Sequence, residues 1–357
     1  MKKALIVLCV VPALTIAVRT WKEYPVALPE WCTSIYAVAV NAGGVGYAFA
    51  SDGNVPGRQY LLNLRNGVWT PGVPPPANLA YPCVAADGAV YAIDNGGRGT
   101  IYRSEGSYWE KAAVPGPVGL DVFDGVAAVS RTEYWAYGTT TRGVVLAFYF
   151  QNDKVTRVFD LGRLSEAHYS STPTIAVPRA ASPNGDCYLV VQASDNPFNS
   201  NRWMLYILRT DGTFAGYPFP LNNYYCDGLS VYQPGDVRVM LTVNSGNESR
   251  LYAFAGGVFR EIGTFPERVH LESYPSPTEG WGKHWPSRIY HWTGGAVTPA
   301  DTVNGHVSDL DMVGPTEGWA VGCRVTNGVY TPVMWHYSDS EPSLTPTSLG
   351  RVKAAFR

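Results

Sequence analysis

The sequence predicts an all-β chain folded as a β-propeller of about seven four-stranded blades. Three observations carry that prediction: a turn-rich composition, a short motif repeated without gaps, and an aromatic slot recurring at blade-length intervals. Among 357 residues there are 37 Gly and 27 Pro, 13% are aromatic and only 16% are charged. That balance suits many short strands joined by tight turns rather than long helices with charged outer faces.

The gap-free motif is Thr-Glu-x-Trp, in Val129-Ser-Arg-Thr-Glu-Tyr-Trp-Ala-Tyr-Gly138, Pro275-Ser-Pro-Thr-Glu-Gly-Trp-Gly-Lys-His284 and Val313-Gly-Pro-Thr-Glu-Gly-Trp-Ala-Val-Gly322. Each copy lies between two apolar stretches and carries Pro, Ser, Gly or Thr, which reads as strand, tight turn, strand. The repeated Glu133, Glu279 and Glu317 are expected in the hairpin turn. The Trp position recurs as Tyr47, Tyr91, Trp135, Tyr188, Val239, Trp281 and Trp319, at intervals from 38 (Trp281 to Trp319) to 53 (Trp135 to Tyr188).

Downstream of each slot lies a second strand rich in β-branched and aromatic residues: 60–64, 100–102, 144–150, 204–208, 251–254, 289–292 and 332–337. Hairpin pairs such as Asn66-Gly67, Asp211-Gly212, Gly256-Gly257 and Gly294-Gly295 follow. An outer strand comes next, as in Val68-Trp-Thr, Trp109-Glu-Lys and Val258-Phe-Arg-Glu. Four strands per repeat of about 40 to 50 residues is a propeller blade, and closing the ring protects its sheet edges. A tandem of β-sandwiches does not account for so short a repeat. Trp21-Lys-Glu-Tyr-Pro-Val26 resembles Trp109-Glu-Lys-Ala-Ala-Val114 and is expected to supply the last blade's outer strand.

The start, Met1-Lys2-Lys3 followed by an apolar run from Ala4 to Val18, has the charge and length of a secretory signal. The expected organisation is a signal peptide over 1–20, the propeller over 21–343, and a C-terminal tail or short helix over 344–357. Leu349, Val352 and Phe356 in that tail stand at helical spacing. The apolar run, interrupted by Pro12, is too short to span a bilayer well, so no stable membrane span is expected after cleavage. The expected location is secreted, periplasmic or at the cell surface. Cys32, Cys83, Cys187, Cys226 and Cys323 show no CxxC spacing. Disulfides Cys32 to Cys83 and Cys187 to Cys226, or buried free thiols, fit equally.

A formal net charge of -2 gives no global positive field, which excludes nonspecific nucleic-acid binding. Among 27 basic residues, 20 are Arg, the side chain that binds carboxylate and phosphate through two parallel hydrogen bonds. Six of seven repeats place an Arg just before the third strand: Arg58, Arg98, Arg142, Arg202, Arg250 and Arg288. Loops between second and third strands project from one face of a propeller. These residues are therefore the candidate ligand site, with an anionic protein surface or acidic glycan as partner.

A second candidate is a set of inner-strand acids, Asp121, Asp124, Asp227, Glu272, Asp309 and Asp311. Two of them facing each other at the central channel could support glycosidase or lyase chemistry. His270, His284 and His291 share one blade, but His291 and His336 occupy matching third-strand positions, which points to a packing role; no metal site is expected. GxSxG, HExxH, P-loop and strand-borne GxGxxG templates are absent, so no cofactor is expected.

Pro315-Thr-Glu-Gly-Trp-Ala-Val-Gly322 and Pro277-Thr-Glu-Gly-Trp-Gly282 resemble the repeat of the photosystem II stability and assembly factor family and, more broadly, BNR-like (Asp-box-like) bacterial propellers. Leu62-Asn-Leu-Arg-Asn-Gly-Val-Trp69 and Tyr102-Arg-Ser-Glu-Gly-Ser-Tyr-Trp109 look like variants of the same unit. The resemblance implies the propeller fold and an Arg-rich binding face. Ser104-Glu-Gly-Ser-Tyr-Trp109 lacks the Asp of a true Asp-box, which removes support for sialidase activity.

Overall fold

The computed structural model describes residues 20–55, 57–94, 99–163, 184–193, 202–221, 224–243, 248–293 and 296–338. These residues form seven antiparallel sheets in chain order. Blade 1 is β2 (Ser34–Val40), β3 (Gly46–Ser51), β4 (Gln59–Arg65) and β5 (Val68–Pro71). Blade 2 is β6 (Leu79–Val84), β7 (Val90–Asp94), β8 (Ile101–Ser104) and β9 (Trp109–Ala113). Blade 3 is β10 (Val122–Ala128), β11 (Glu133–Thr139), β12 (Val144–Gln151) and β13 (Lys154–Arg163).

Blade 4 shows three strands among the described residues, β14 (Cys187–Ala193), β15 (Arg202–Leu208) and β16 (Phe214–Pro218). Blade 5 is β17 (Tyr224–Gln233), β18 (Asp236–Val243), β19 (Ser249–Ala255) and β20 (Val258–Phe265). Blade 6 is β21 (His270–Ser276), β22 (Glu279–His284), β23 (Arg288–Thr293) and β24 (Ala296–Thr302). Blade 7 takes β25 (His306–Gly314), β26 (Glu317–Thr326) and β27 (Val329–Tyr337) from the end of the chain, and β1 (Trp21–Tyr24) from its start.

The closure foreseen from Trp21 is therefore present: Trp21 pairs with Tyr337 and Tyr24 with Met334. Trp21 is buried, its ring 5.7 Å from Trp281 in blade 6 and 5.3 Å from Tyr337. One side chain thus ties the first strand to two blades. The tail and the expected signal segment lie outside the described residues.

All seven slot residues lie in second strands and are at most 1% exposed. The six aromatic ones each fill the layer towards the next blade, which explains why a large side chain recurs there, whereas Val239 faces back and shares the blade 4–5 layer with Tyr188, leaving Met240 to pack against blade 6. Trp281 stacks on His291 and Trp319 on His336, each at 4.0 Å, and each pair is also directly opposed in the ladder. The two histidines are packing residues. Glu133, Glu279 and Glu317 open the second strands rather than sit within the turn; Glu133 accepts from Gln151 Nε2 at 3.0 Å. Asn66 and Gly67 both adopt positive φ, 51° and 73°, as a type I′ hairpin requires.

The innermost strands touch round the axis, β2 with β6 and β25, β6 with β10, and β21 with β17 and β25. Each of these six strands breaks register near its start, skipping Tyr36, Tyr81-Pro82, Asp124, Asp227, Glu272 and Ser308 in turn, and β17, β21 and β25 break it again further on. A β-bulge bends the strand and re-aims the extra residue. Three of the six sites place an acid there.

Candidate ligand face

In an antiparallel four-stranded meander, the loops from second to third strand and the links between blades share one face. The first-to-second turns and the third-to-fourth hairpins share the other. The five candidate arginines within the described residues therefore belong to one face by topology. Arg98 lies outside the described residues, and Arg202 opens β15 with its side chain outside them.

Of the other four, Arg142 is exposed and makes no ion pair among the described residues. The remaining three have acid partners. Arg58 Nη1 is 3.4 Å from Asp52 Oδ2, and its guanidinium stacks over Trp31 at 4.1 Å. Arg250 Nε donates to Glu248 Oε1 at 2.7 Å, and its Nη1 lies 3.4 Å from Glu261 Oε2. Arg288 Nη1 donates to both oxygens of Glu267, at 2.9 and 3.0 Å. The face is therefore not a bare ring of positive charge.

The exposures of the partners are unequal, and that matters more than the pairing itself. The Asp52 side chain is 7% exposed and Glu267 17%, whereas Arg58 and Arg288 are 47% and 52% exposed. In each pair the acid is the less exposed partner and holds one nitrogen of a half-exposed guanidinium. The Nε and Nη2 edges of Arg58 and Arg288 make no hydrogen bond among the described residues. That edge is a side-on fork for a second carboxylate or phosphate.

A polar network among the described residues lies where blades 5 and 6 meet, and it contains residues that sequence reasoning did not single out. In the link between these blades, Arg268 donates to both oxygens of buried Asp227 at 2.9 and 2.7 Å. His270 Nδ1 lies 3.8 Å from the same carboxylate. His284 Nδ1 is 2.7 Å from the Arg268 carbonyl oxygen, and its Nε2 is 3.2 Å from Glu267. Tyr290 also donates to Glu267. Asp227 was legible as an inner-strand acid; Arg268 and Glu267, in a Pro-Glu-Arg link, repeat nowhere and gave no periodic signal.

The inner-strand acids mostly serve the ring. Asp309 Oδ2 accepts from Val38 N at 3.1 Å and Asp311 Oδ2 from Val40 N at 3.0 Å, so alternate residues of β25 stitch blade 7 to the unpaired edge of β2. Glu272 is held by Lys283 at 2.8 Å. Asp124 accepts from Thr139 Oγ1 at 3.1 Å, and burial pushes its carboxyl up to about 6. Asp121 is exposed. At the opposite face the channel opens into a cavity of about 460 Å³ lined in part by Asn41, Ser230, Tyr232, Glu272, Ser273 and Asp311.

Cys32, Cys83, Cys187, Cys226 and Cys323 are free, buried thiols, so neither disulfide forms here. Among the described residues no three His, Cys, Asp or Glu side chains are grouped to hold a metal ion, and no helix is long and apolar enough to cross a membrane.

No protein-family model and no curated protein matches the chain. Solved structures do. A streptogramin B lyase superposes with TM-score 0.59 at 14% identity, covering 89% of this chain and 97% of that one. An oligogalacturonate lyase in complex with manganese superposes with TM-score 0.60 at 12% identity, covering 90% and 97%. A puromycin-hydrolysing peptidase of Mycobacterium tuberculosis reaches TM-score 0.54 at 14% identity, covering 85% of this chain and 53% of that one. At these identities the likeness shows the propeller fold alone.

Proposed function

We propose that this chain is a noncatalytic, extracytoplasmic binding or assembly propeller that presents its Arg-bearing face to an anionic protein surface or acidic glycan. The observation that carries the reading is the anchored, half-open guanidinium at Arg58 and Arg288. In each pair an acid less exposed than its arginine holds one nitrogen of the guanidinium, so a ligand carboxylate meets a donor fork whose rotamer freedom is already reduced. The acid also cancels much of the local positive field. Recognition on this reading runs through geometry, and long-range steering contributes little. The resemblance of the Thr-Glu-x-Trp repeats to the assembly-factor family points the same way, and the Lys2-Lys3 start with its apolar run supports export.

The test is retention on immobilised polygalacturonate and on immobilised polyglutamate. Wild-type protein is expected to be retained by at least one of them. The variant Arg58→Ala/Arg142→Ala/Arg288→Ala is expected to elute in the void with an unchanged circular dichroism spectrum. Equal retention of the triple variant contradicts the reading, as does wild-type protein that neither matrix retains.

A second reading, a glycosidase or lyase using inner-strand carboxylates, draws its support from Asp124. A carboxyl near 6 on an innermost strand is suited to general acid or base work near neutrality. Release of products from acidic or neutral oligosaccharides, lost on Asp124→Asn, would favour it over binding alone.

A further inference from the structure

The hairpin loop between β22 and β23 differs from the other loops of the Arg-bearing face in what it exposes. Of 11 Trp residues in the chain, Trp285 at its tip is the one that is exposed, at 68%. The loop that carries it is nonetheless tied down on both sides. Towards blade 5, His284 bonds the Arg268 carbonyl and Arg288 bonds Glu267. Towards blade 7, Pro286 O accepts from Val307 N at 2.7 Å and Ser287 O from Val303 N at 3.0 Å. His306 meets the edge of the Trp285 ring at 5.4 Å. Beyond that contact, the exposed part of Trp285 leaves apolar surface in water that packs against nothing among the described residues. Its ring is held where a ligand can use it at little entropic cost.

His284 and Arg288 are directly opposed at the base of this loop. Three Cα steps separate Trp285 from Arg288, so their Cα atoms lie at most about 11 Å apart. Within that span stand a flat aromatic surface and the open Nε and Nη2 edge of Arg288. Arg268, bound to Asp227, stands on the adjoining link. A ligand that matches both features has a rigid apolar face and a carboxylate on the same unit. A hexuronic acid has this shape: the axial C–H groups of the pyranose lie on the indole, and the C6 carboxylate meets the guanidinium fork. An acidic peptide satisfies the arginine but leaves the indole without a matching face.

We infer that the Trp285–Arg288 loop of blade 6 is a subsite for a uronate residue of an acidic oligosaccharide. This rests on the reading of the face as anion-binding and names its ligand class. The neutral sum of Arg268, Arg288 and Lys283 against Asp227, Glu267 and Glu272 favours one carboxylate at a defined place over a polyanion bound by bulk charge.

Isothermal titration of the full chain with trigalacturonate, maltotriose and pentaglutamate tests it. The expected result is saturable binding of trigalacturonate, none of maltotriose, and at least about tenfold weaker trigalacturonate binding for Trp285→Ala and for Arg288→Gln. Trp285→Tyr should recover part of the loss, because an aromatic face is retained. Since Trp285 is exposed, its substitution should leave the thermal transition unchanged, which separates lost binding from lost fold. Trigalacturonate that fails to bind, or that binds Trp285→Ala as it binds wild type, overturns the inference. If pentaglutamate binds through Arg288 while trigalacturonate does not, the sugar subsite falls and the anion-binding face stands. If neither binds, both fall.

Discussion

Asp124 occupies the bulge of β10, where burial lifts its carboxyl from 3.8 to about 6. Between those values the folded chain holds the proton more tightly than the unfolded chain does. Stability therefore falls as pH rises through this window and levels off above about 6. His336 acts with the opposite slope: burial lowers its pKa against a smaller opposing effect of Glu317, so protonating it costs stability as pH drops below 6.5. Comparing Asp124→Asn with wild type isolates the carboxylate. The variant should match wild type near pH 4 and be more stable at pH 7 by about 2 kcal/mol, the two-unit shift discounted for partial exposure. Paired urea titrations at the two pH values measure this; a difference independent of pH would contradict the assigned cause.

At the scale of a strand, ring closure depends on β25 as well as on β1. The β2 edge facing the axis has no strand partner, and Asp309 and Asp311 supply the acceptors for Val38 and Val40. Asp309→Ala and Asp311→Ala each leave a buried amide without its acceptor, at a cost of about 1–3 kcal/mol. The Asn variants should lose less, because an amide oxygen can still accept. Urea midpoints report the difference, and Ala and Asn variants indistinguishable from wild type would show that the stitches contribute nothing. The strands themselves were legible, since Trp135, Trp281 and Trp319 sit in gap-free repeats and Trp21 begins a segment like the one at Trp109. The bulges were not: one extra residue inside an apolar run, such as Asp124 after Phe123, leaves no mark in a period-two pattern. The role of Asp309 and Asp311 was hidden too, because their partners are backbone amides 271 residues away.

Over the whole molecule, the repeat places chemistry by face. An arginine before the third strand in six of seven repeats was readable because the blade recurs, and topology then puts the five that are described on one side. Whether each guanidinium is available was not readable. Asp52 lies near Arg58 in sequence, but Glu267 is 21 residues from Arg288 and Asp227 is 41 from Arg268, and no local pattern pairs them. The opposite face has its own 460 Å³ channel mouth, so the fold alone leaves two sides on which a ligand could sit. Hydrogen–deuterium exchange with and without oligogalacturonate distinguishes them directly. Protection is expected in segments 52–59, 140–144, 265–270 and 284–288, with none in the opposite turns 66–67, 105–108, 256–257 and 327–328. Protection confined to those turns or to the channel-mouth segments 41–43 and 230–232, or no protection anywhere, would contradict the assignment of the Arg-bearing face as the ligand face.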